Sequence, residues 1–466
     1  MLSTMFDLRQ LVADERDEGP ALIDAHINPA LVKVLRLLGF DRRYVSGKGA
    51  YLYDDAGRPY LDCLSGHGTF ACGRNHPTIR AAIEQAMEMD LPNLPAMGLP
   101  RLSGILAREL VALAPGELDR VFFTSGGAEG VETALKYARA ATGKSRIIHC
   151  DKSFHGLTLG ALSVNGNPEF KEGFGPLLPH VATVPFNDLA ALEREISSGD
   201  VAGFIVEPIQ GEGVFLPGDN YLPDALALCR KHGVVFIADE VQTGFGRTGK
   251  MFACEHWGVE PDILITAKAL SGGYVPVGAV LSRRWIHDRV FSSLDRCVVH
   301  SSTFSENDLA MAAGLATLHV LCDEQLVDRA RATGELLLQG LEEVGRKYEM
   351  FREVRGMGLM IAVEFGRPAS TSLKMGWDLL HKMNPSLFCQ VMLMPLLTEH
   401  RILAQVAGHR LDVIKLLPTL VIDEEDVAHL IRAFDQVMAA SHRFPGPVWE
   451  LAKRFGGAAL DRRRLA

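Results

Sequence analysis

The chain has 466 residues, 47% hydrophobic and 23% charged, with a formal net charge of −9. That length exceeds what one core usually organises, so two domains are expected, and the acidic balance is the opposite of what a general nucleic-acid binder carries. The eight cysteines form no Cys-x-x-Cys pair, residues 1–30 lack the apolar stretch of a signal peptide, and no segment has the length of a membrane span; a reduced, cytoplasmic protein is the expectation, with no metal site.

Apolar spacing predicts a helix from residue 8 to about 18 and another over 29–38. Residues 49–62 read as a hairpin whose turn is marked by Asp55, Ala56 and Gly57. From about 76 to 325, helix-length segments alternate with short apolar runs at 120–123, 146–149, 203–206, 234–238, 263–266 and 276–281. Runs apolar on both faces predict an α/β domain with a mostly parallel sheet covered on two sides. A long amphipathic helix is expected from 326 to about 348, then the glycine-broken stretch 354–361 and further helices. The expected division is an N-terminal segment (1–75) and a C-terminal part (326–466) that together form a small α+β domain, flanking a large domain (76–325). Segment 378–406 is apolar and holds Met383, Met392 and Met394, which suits either the core of the small domain or a wall against a bulky, flexible ligand. The tail at 448–455, followed by Arg462, Arg463 and Arg464, is amphipathic and basic; it suits packing on a neighbour or weak contact with an anionic membrane surface.

The chemistry concentrates at the ends of the apolar runs, where parallel sheets bind their ligands. Lys268 follows the run 263–266, and Asp239 closes the preceding run 234–238. A lone lysine there would be a snorkelling surface residue. A lysine and a carboxylate closing neighbouring strands are the pair that pyridoxal phosphate (PLP) needs: an amine to condense with its aldehyde, and an acid to keep the pyridine nitrogen protonated. After 120–123 come Ser125, Gly126, Gly127 and Ala128, a glycine turn opening a helix whose free N–H groups suit a phosphate. After 146–149 come Phe154, able to lie on a planar ring, and His155. Glu207, Gln210 and Glu212 follow 203–206. Gly244, Gly246 and Gly249 spell a GxGxxG, but no helix clearly opens after them and no βαβ unit with an acid about twenty residues on follows, as a dinucleotide site requires. Cys254 and His256 have no partners at metal-ligand spacing.

Together these residues resemble the class III aminotransferases, PLP enzymes of fold type I that include ornithine, acetylornithine, 4-aminobutyrate, putrescine and ω-amine transaminases. The resemblance runs from about Asn28 to Ala440 and is most specific over 236–249 with Lys268. It implies a large domain with a mostly parallel central sheet, a small α+β domain, and transfer of an amino group between an amine or amino-acid donor and an aldehyde or keto acceptor. By position it makes Lys268 the Schiff-base lysine, Asp239 the partner of the pyridine nitrogen and Gln242 the contact of the ring hydroxyl. Phe154 stacks on the ring beside His155, Gly126, Gly127 and Ala128 hold the phosphate, and Glu207 supports the ring network. Thr303 matches the threonine that reaches the phosphate from the partner subunit, which implies a homodimer. Glu212 matches the acid that can pair with a substrate-binding arginine.

This sequence departs from the family pattern at three places. Ser125-Gly126-Gly127 stands where many relatives have Asn-Ser-Gly, so one hydroxyl leaves the phosphate cup. Ser305-Glu306-Asn307-Asp308 replaces Gly-Gly-Asn-Pro after Thr303. Lys415 stands where 2-oxoglutarate users commonly carry an arginine, and a lysine keeps the charge without the bidentate grip on a carboxylate. With the apolar segment 378–406, these features are similar in tone to the subgroup acting on large apolar substrates, of the hopanoid-biosynthesis type. Aminomutase or decarboxylase chemistry on the same fold is the alternative reading, since fold and cofactor do not fix the reaction.

Overall fold

The computed structural model describes residues 6–15, 18–94, 98–383, 387–408, 411–443 and 446. The expected first helix is shorter, α1 (Leu8–Asp14), and a further helix that the apolar spacing did not predict, α2 (Gly19–His26), follows with Pro20 in its first turn. Proline is pre-shaped for the first turn of a helix and gives up no intrahelical hydrogen bond there. The helix α3 (Pro29–Leu38) begins at Asn28, whose side chain accepts the Leu31 N–H at 3.0 Å, and ends at left-handed Gly39.

The predicted hairpin is β2 (Tyr51–Asp54) with β3 (Pro59–Asp62), and β1 (Tyr44–Lys48) pairs antiparallel on the other side of β2. Asp54 shapes its turn by accepting the Ala56 and Arg58 N–H groups at 3.1 and 2.9 Å.

Seven strands make the central sheet: β4 (Arg120–Thr124), β5 (Arg146–Cys150), β6 (Val181–Val184), β7 (Val201–Val206), β8 (Val235–Asp239), β9 (Ile263–Thr266) and β10 (Gly278–Ser282). Their spatial order is β4-β10-β9-β8-β7-β5-β6. Every residue of β7, β8, β9 and β10 is buried, the two-sided burial that continuous apolar runs predict. One strand differs in direction. β10 runs antiparallel to both β9 and β4. The link from β9 to β10 holds one short 3₁₀ turn, Lys268–Ser271, and the left-handed Gly272 and Gly273. A link without a crossover helix can return only to an antiparallel neighbour. Gly273 lies so close to Phe70 that a Cβ would sit 2.4 Å from its ring, so this turn needs glycine both for its backbone and for its space.

Helices Asp308–Asp323 and Leu326–Gly345 lead to β11 (Phe351–Met357) and β12 (Met360–Phe365). Helix Leu387–Thr398 buries residues around its whole circumference, including Met392 and Met394, so this apolar stretch is core and no ligand wall. The strand β13 (Ile402–Leu403) then returns to pair in parallel with β3, Ile402 opposite Leu61. β14 (Gln405–Val406) and β15 (Val413–Leu416) complete an antiparallel sheet in the order β11-β12-β15-β14. The basic tail lies outside the described residues. Among the described residues, no helix is long and apolar enough to cross a membrane. All eight cysteines are free, and only Cys297 and Cys322 are exposed.

Candidate active site

A cavity of about 700 Å³ opens beyond the carboxyl ends of the parallel strands. All of the predicted site residues line it except Thr303. Thr303 is exposed on the surface of its own chain.

The cavity floor is made by strand ends. Asp239 ends β8 opposite Ile265 of β9, and Lys268 follows three residues later, so neighbouring strands deliver the carboxylate and the amine. Asp239 is buried; its Oδ2 lies 2.7 Å from His155 Nδ1, and its Oδ1 accepts the Val241 N–H at 3.1 Å. Lys268 sits in the left-handed region at φ 40°, a conformation that costs a non-glycine residue about 1–3 kcal/mol and collects at functional sites. Its Nζ makes no hydrogen bond or ion pair with any described residue. Burial lowers its pKa, against the attraction of Asp239 and Glu207, and this favours a neutral, nucleophilic amine. Glu207 is satisfied by backbone alone: Oε1 accepts the Phe154 N–H at 2.9 Å and Oε2 the Gly211 N–H at 2.7 Å. Burial raises its pKa, chiefly opposed by His155. The Phe154 ring is braced edge-on by Phe170, with centroids 5.5 Å apart.

After β4, Gly126 caps the helix Gly127–Thr142, whose first N–H groups face the cavity without intrahelical partners. Gly127 is close-packed there: a Cβ would lie 2.8 Å from Val241. Glu129 folds back so that Oε2 accepts the Ser125 N–H at 2.6 Å.

The opposite wall comes from distant parts of the chain. Lys415, on β15, donates to the Gly211 carbonyl at 2.6 Å and to Gln242 Oε1 at 3.2 Å. Gln242 in turn donates to the His67 carbonyl at 3.0 Å. Burial and then repulsion by Lys268 bring the Lys415 pKa down to about 8. Glu212 accepts one hydrogen bond, from Asn167 Nδ2 at 2.7 Å, and forms no ion pair with any described residue. Burial and Glu207 push its pKa up to about 7. Sequence reasoning missed His67, Asn167, Tyr274 and Gln405. His67 lines the cavity from a left-handed turn flanked by Gly66 and Gly68, and that glycine-flanked histidine was the only signal available. Gly244, Gly246 and Gly249 lie off the cavity; Gly244 packs against Glu240 and Phe252, and Gly246 and Gly249 against Val327 and Arg331, while Arg247 between them donates to the Leu359 carbonyl at 3.0 Å.

The donor set fits PLP. It supplies an unpartnered amine and a buried carboxylate across one floor, an aromatic ring at its side, and a bare helix start for a phosphate. His155 Nε2, buried with no partner among the described residues, marks the floor as a place awaiting a polar group. Fold and site therefore define a PLP enzyme of fold type I.

Comparison with known proteins narrows the class. Residues 39–438 match the family described as aminotransferase class-III. The chain is 46% identical over 325 residues to a putrescine aminotransferase of Pectobacterium atrosepticum, covering 67% of this chain and 68% of that protein. It is 34% identical over 443 residues to the aminotransferase PigE of a Serratia species, covering 88% of this chain but 52% of that one, so it spans about half of that relative. An (S)-enantioselective omega-transaminase from Thermomicrobium roseum superposes with a TM-score of 0.79 at 31% identity, over 94% of this chain and 100% of that one. An ornithine aminotransferase from Toxoplasma gondii superposes with a TM-score of 0.76 at 33% identity, over 86% and 90% of the two chains. The chain belongs to the class III aminotransferases, and PLP is its cofactor.

Proposed function

We propose that the enzyme transfers an amino group from a primary amine of diamine or ω-amine type to an aldehyde or keto acceptor, in a homodimer. The observation that carries transfer is the floor: Asp239 and Lys268 end adjacent parallel strands, with the free N–H groups of helix Gly127–Thr142 beside them. PLP, when bound, supplies an electron sink for the carbon that bears the amine. Lys268 Nζ is the group that holds the cofactor and moves the proton at that carbon. Asp239, oriented by His155, would be the partner of the ring nitrogen; Glu207 would support this pair, and Phe154 would pack against the ring. Gly126, Gly127 and Ala128 hold the phosphate, and Gln242 reaches toward the ring.

The donor class rests on the far wall. Lys415 is tethered to Gly211 and Gln242 and offers no bidentate grip, which disfavours a glutamate-like α-carboxylate. Glu212 keeps an unpaired oxygen, suited to a distal ammonium, while Leu157, Phe170, Tyr274 and Val406 give an apolar path between. The similarity to a putrescine aminotransferase supports this reading. The dimer rests on Thr303, outside its own cavity, and on exposed apolar residues such as Phe6, Val12, Ile27, Val298 and Phe304, which a second copy would cover.

A donor screen tests this. Diamines, ω-amino acids, long-chain amines and glutamate are added singly to the PLP-loaded enzyme, and the cofactor spectrum is followed. Diamines are expected to convert it fastest. Fastest conversion by glutamate removes the donor assignment; conversion by none of them removes transamination. Mass spectrometry separates the alternative chemistry, because transfer moves nitrogen between two molecules whereas decarboxylation releases carbon dioxide.

A further inference from the structure

Segment 298–304 carries Thr303 and has little cover; Val298 is 75% and Phe304 63% exposed. Between them His300 turns inward. Its ring lies on Phe122 of β4 with centroids 4.5 Å apart and meets Tyr137 edge-on at 5.7 Å. Nδ1 is 2.7 Å from the Lys136 ammonium, and Nε2 is 2.9 Å from the Thr133 hydroxyl. The Thr133 hydroxyl already donates to the Glu129 carbonyl at 2.9 Å, so toward His300 it accepts. An ammonium has no lone pair, so Nδ1 must accept from Lys136. The two constraints fix a neutral ring with its proton on Nε2. The same bonds continue to the cofactor cup, where Glu129 Oε2 accepts the Ser125 N–H.

We propose that His300 is a positioning residue, fastening the segment that carries Thr303 to the helix whose first turn forms the phosphate cup. This rests on the assignment of Thr303 to the phosphate across a dimer. Protonation of the ring would remove the acceptor of Lys136 and set two cations side by side. The titratable groups facing the ring are Lys136, Glu129 and Tyr137, all on that helix; β4 contributes the Phe122 ring. Burial and Lys136 hold the imidazole below its ordinary value, against Glu129, so the fastening survives at neutral pH and fails only in acid.

The test is PLP retention by the full-length holoenzyme, measured as the PLP dissociation constant between about pH 5.5 and 8. His300→Ala and Thr303→Ala should each weaken retention roughly tenfold, the scale of one hydrogen bond to a charged group. The double variant should also lose roughly tenfold, well short of the product of the two losses, because both changes act on one contact. His300→Gln, which keeps a donor toward Thr133, should recover most of the affinity and flatten the acid-side loss. Multiplicative losses in the double variant overturn the proposal, as does wild-type retention in His300→Ala. Loss in His300→Ala with none in Thr303→Ala also overturns it, together with the dimer contact, while leaving transamination standing. A wild type that fails to hold PLP would sink the site assignment itself. If His300→Ala does not fold, as a thermal melt reveals, the cycle is run with His300→Phe, which keeps a ring against Phe122 and loses both hydrogen bonds; multiplicative loss with Thr303→Ala is again the overturning result.

Discussion

The floor and the far wall of the cavity are built in different ways. On the floor, successive strand ends supply each group, and backbone N–H donors satisfy Glu207 and one oxygen of Asp239. On the wall, side chains from the middle of the chain and from β15 reach backbone carbonyls across long separations, 175 residues from Gln242 to the His67 carbonyl and 204 from Lys415 to the Gly211 carbonyl. On the proposed function, chemistry shared by many amine substrates would be set by local sheet geometry and selectivity by tertiary contacts that can change one at a time.

If that contrast is right, substitutions on the floor act on rate and those on the wall act on choice of substrate. The largest effect is expected from Lys268→Ala, with turnover lower by more than about 10³-fold and loss of the near-visible absorbance of lysine-bound PLP; full multiple-turnover activity in this variant would remove the lysine from the reaction. Asp239→Asn, which leaves His155 facing an amide, should lower kcat by about 10²-fold for every donor alike, a loss typical of one preorganised charge. A donor-dependent loss would move Asp239 to the wall. Lys415→Arg should change choice more than rate. The Lys415 ammonium, with its pKa brought down to about 8, is charged below that pH and neutral above it. In the wild type, KM for a keto-acid acceptor should therefore rise above pH 8, by up to about tenfold per pH unit, with KM for an aldehyde unmoved. In the arginine variant, which stays charged, the keto-acid profile should be flat. Parallel profiles for the two acceptors in the wild type would separate Lys415 from carboxylate binding. The smallest effect is expected from Asn167→Ala: loss of the one hydrogen bond to Glu212 should lower preference for a diamine over a monoamine only several-fold, on the scale of a single neutral donor.

How much of this was legible in the sequence follows the same line. Lys268, Asp239, Glu207 and the glycine turn could be read because each directly follows an apolar run, and strand ends meet at one edge of a parallel sheet. His67 could not, because Ser65-Gly66-His67-Gly68 looks like any glycine-rich turn until β2 and β3 carry it to the cavity. Glu212 and Lys415 could be read only by resemblance; the contacts that hold them, Asn167 for the one and Gly211 and Gln242 for the other, come from tertiary packing that the sequence does not display. The direction of β10 was also hidden, since an apolar run looks the same read either way. The fate of 387–398 turned on which neighbours enclose it, and hydrophobicity alone could not tell core from ligand wall.

The pairing of β13 with β3 has a consequence for how the protein is made. Leu61 lies opposite Ile402 and donates its N–H to the Arg401 carbonyl at 2.8 Å, partners separated by most of the polypeptide. While the ribosome is still working, the first three strands wait as an unfinished edge until the last hundred residues emerge. The floor around Lys268 can therefore take shape on a nascent chain before Lys415 arrives on β15, and a truncated product would carry Lys268 beneath an incomplete wall.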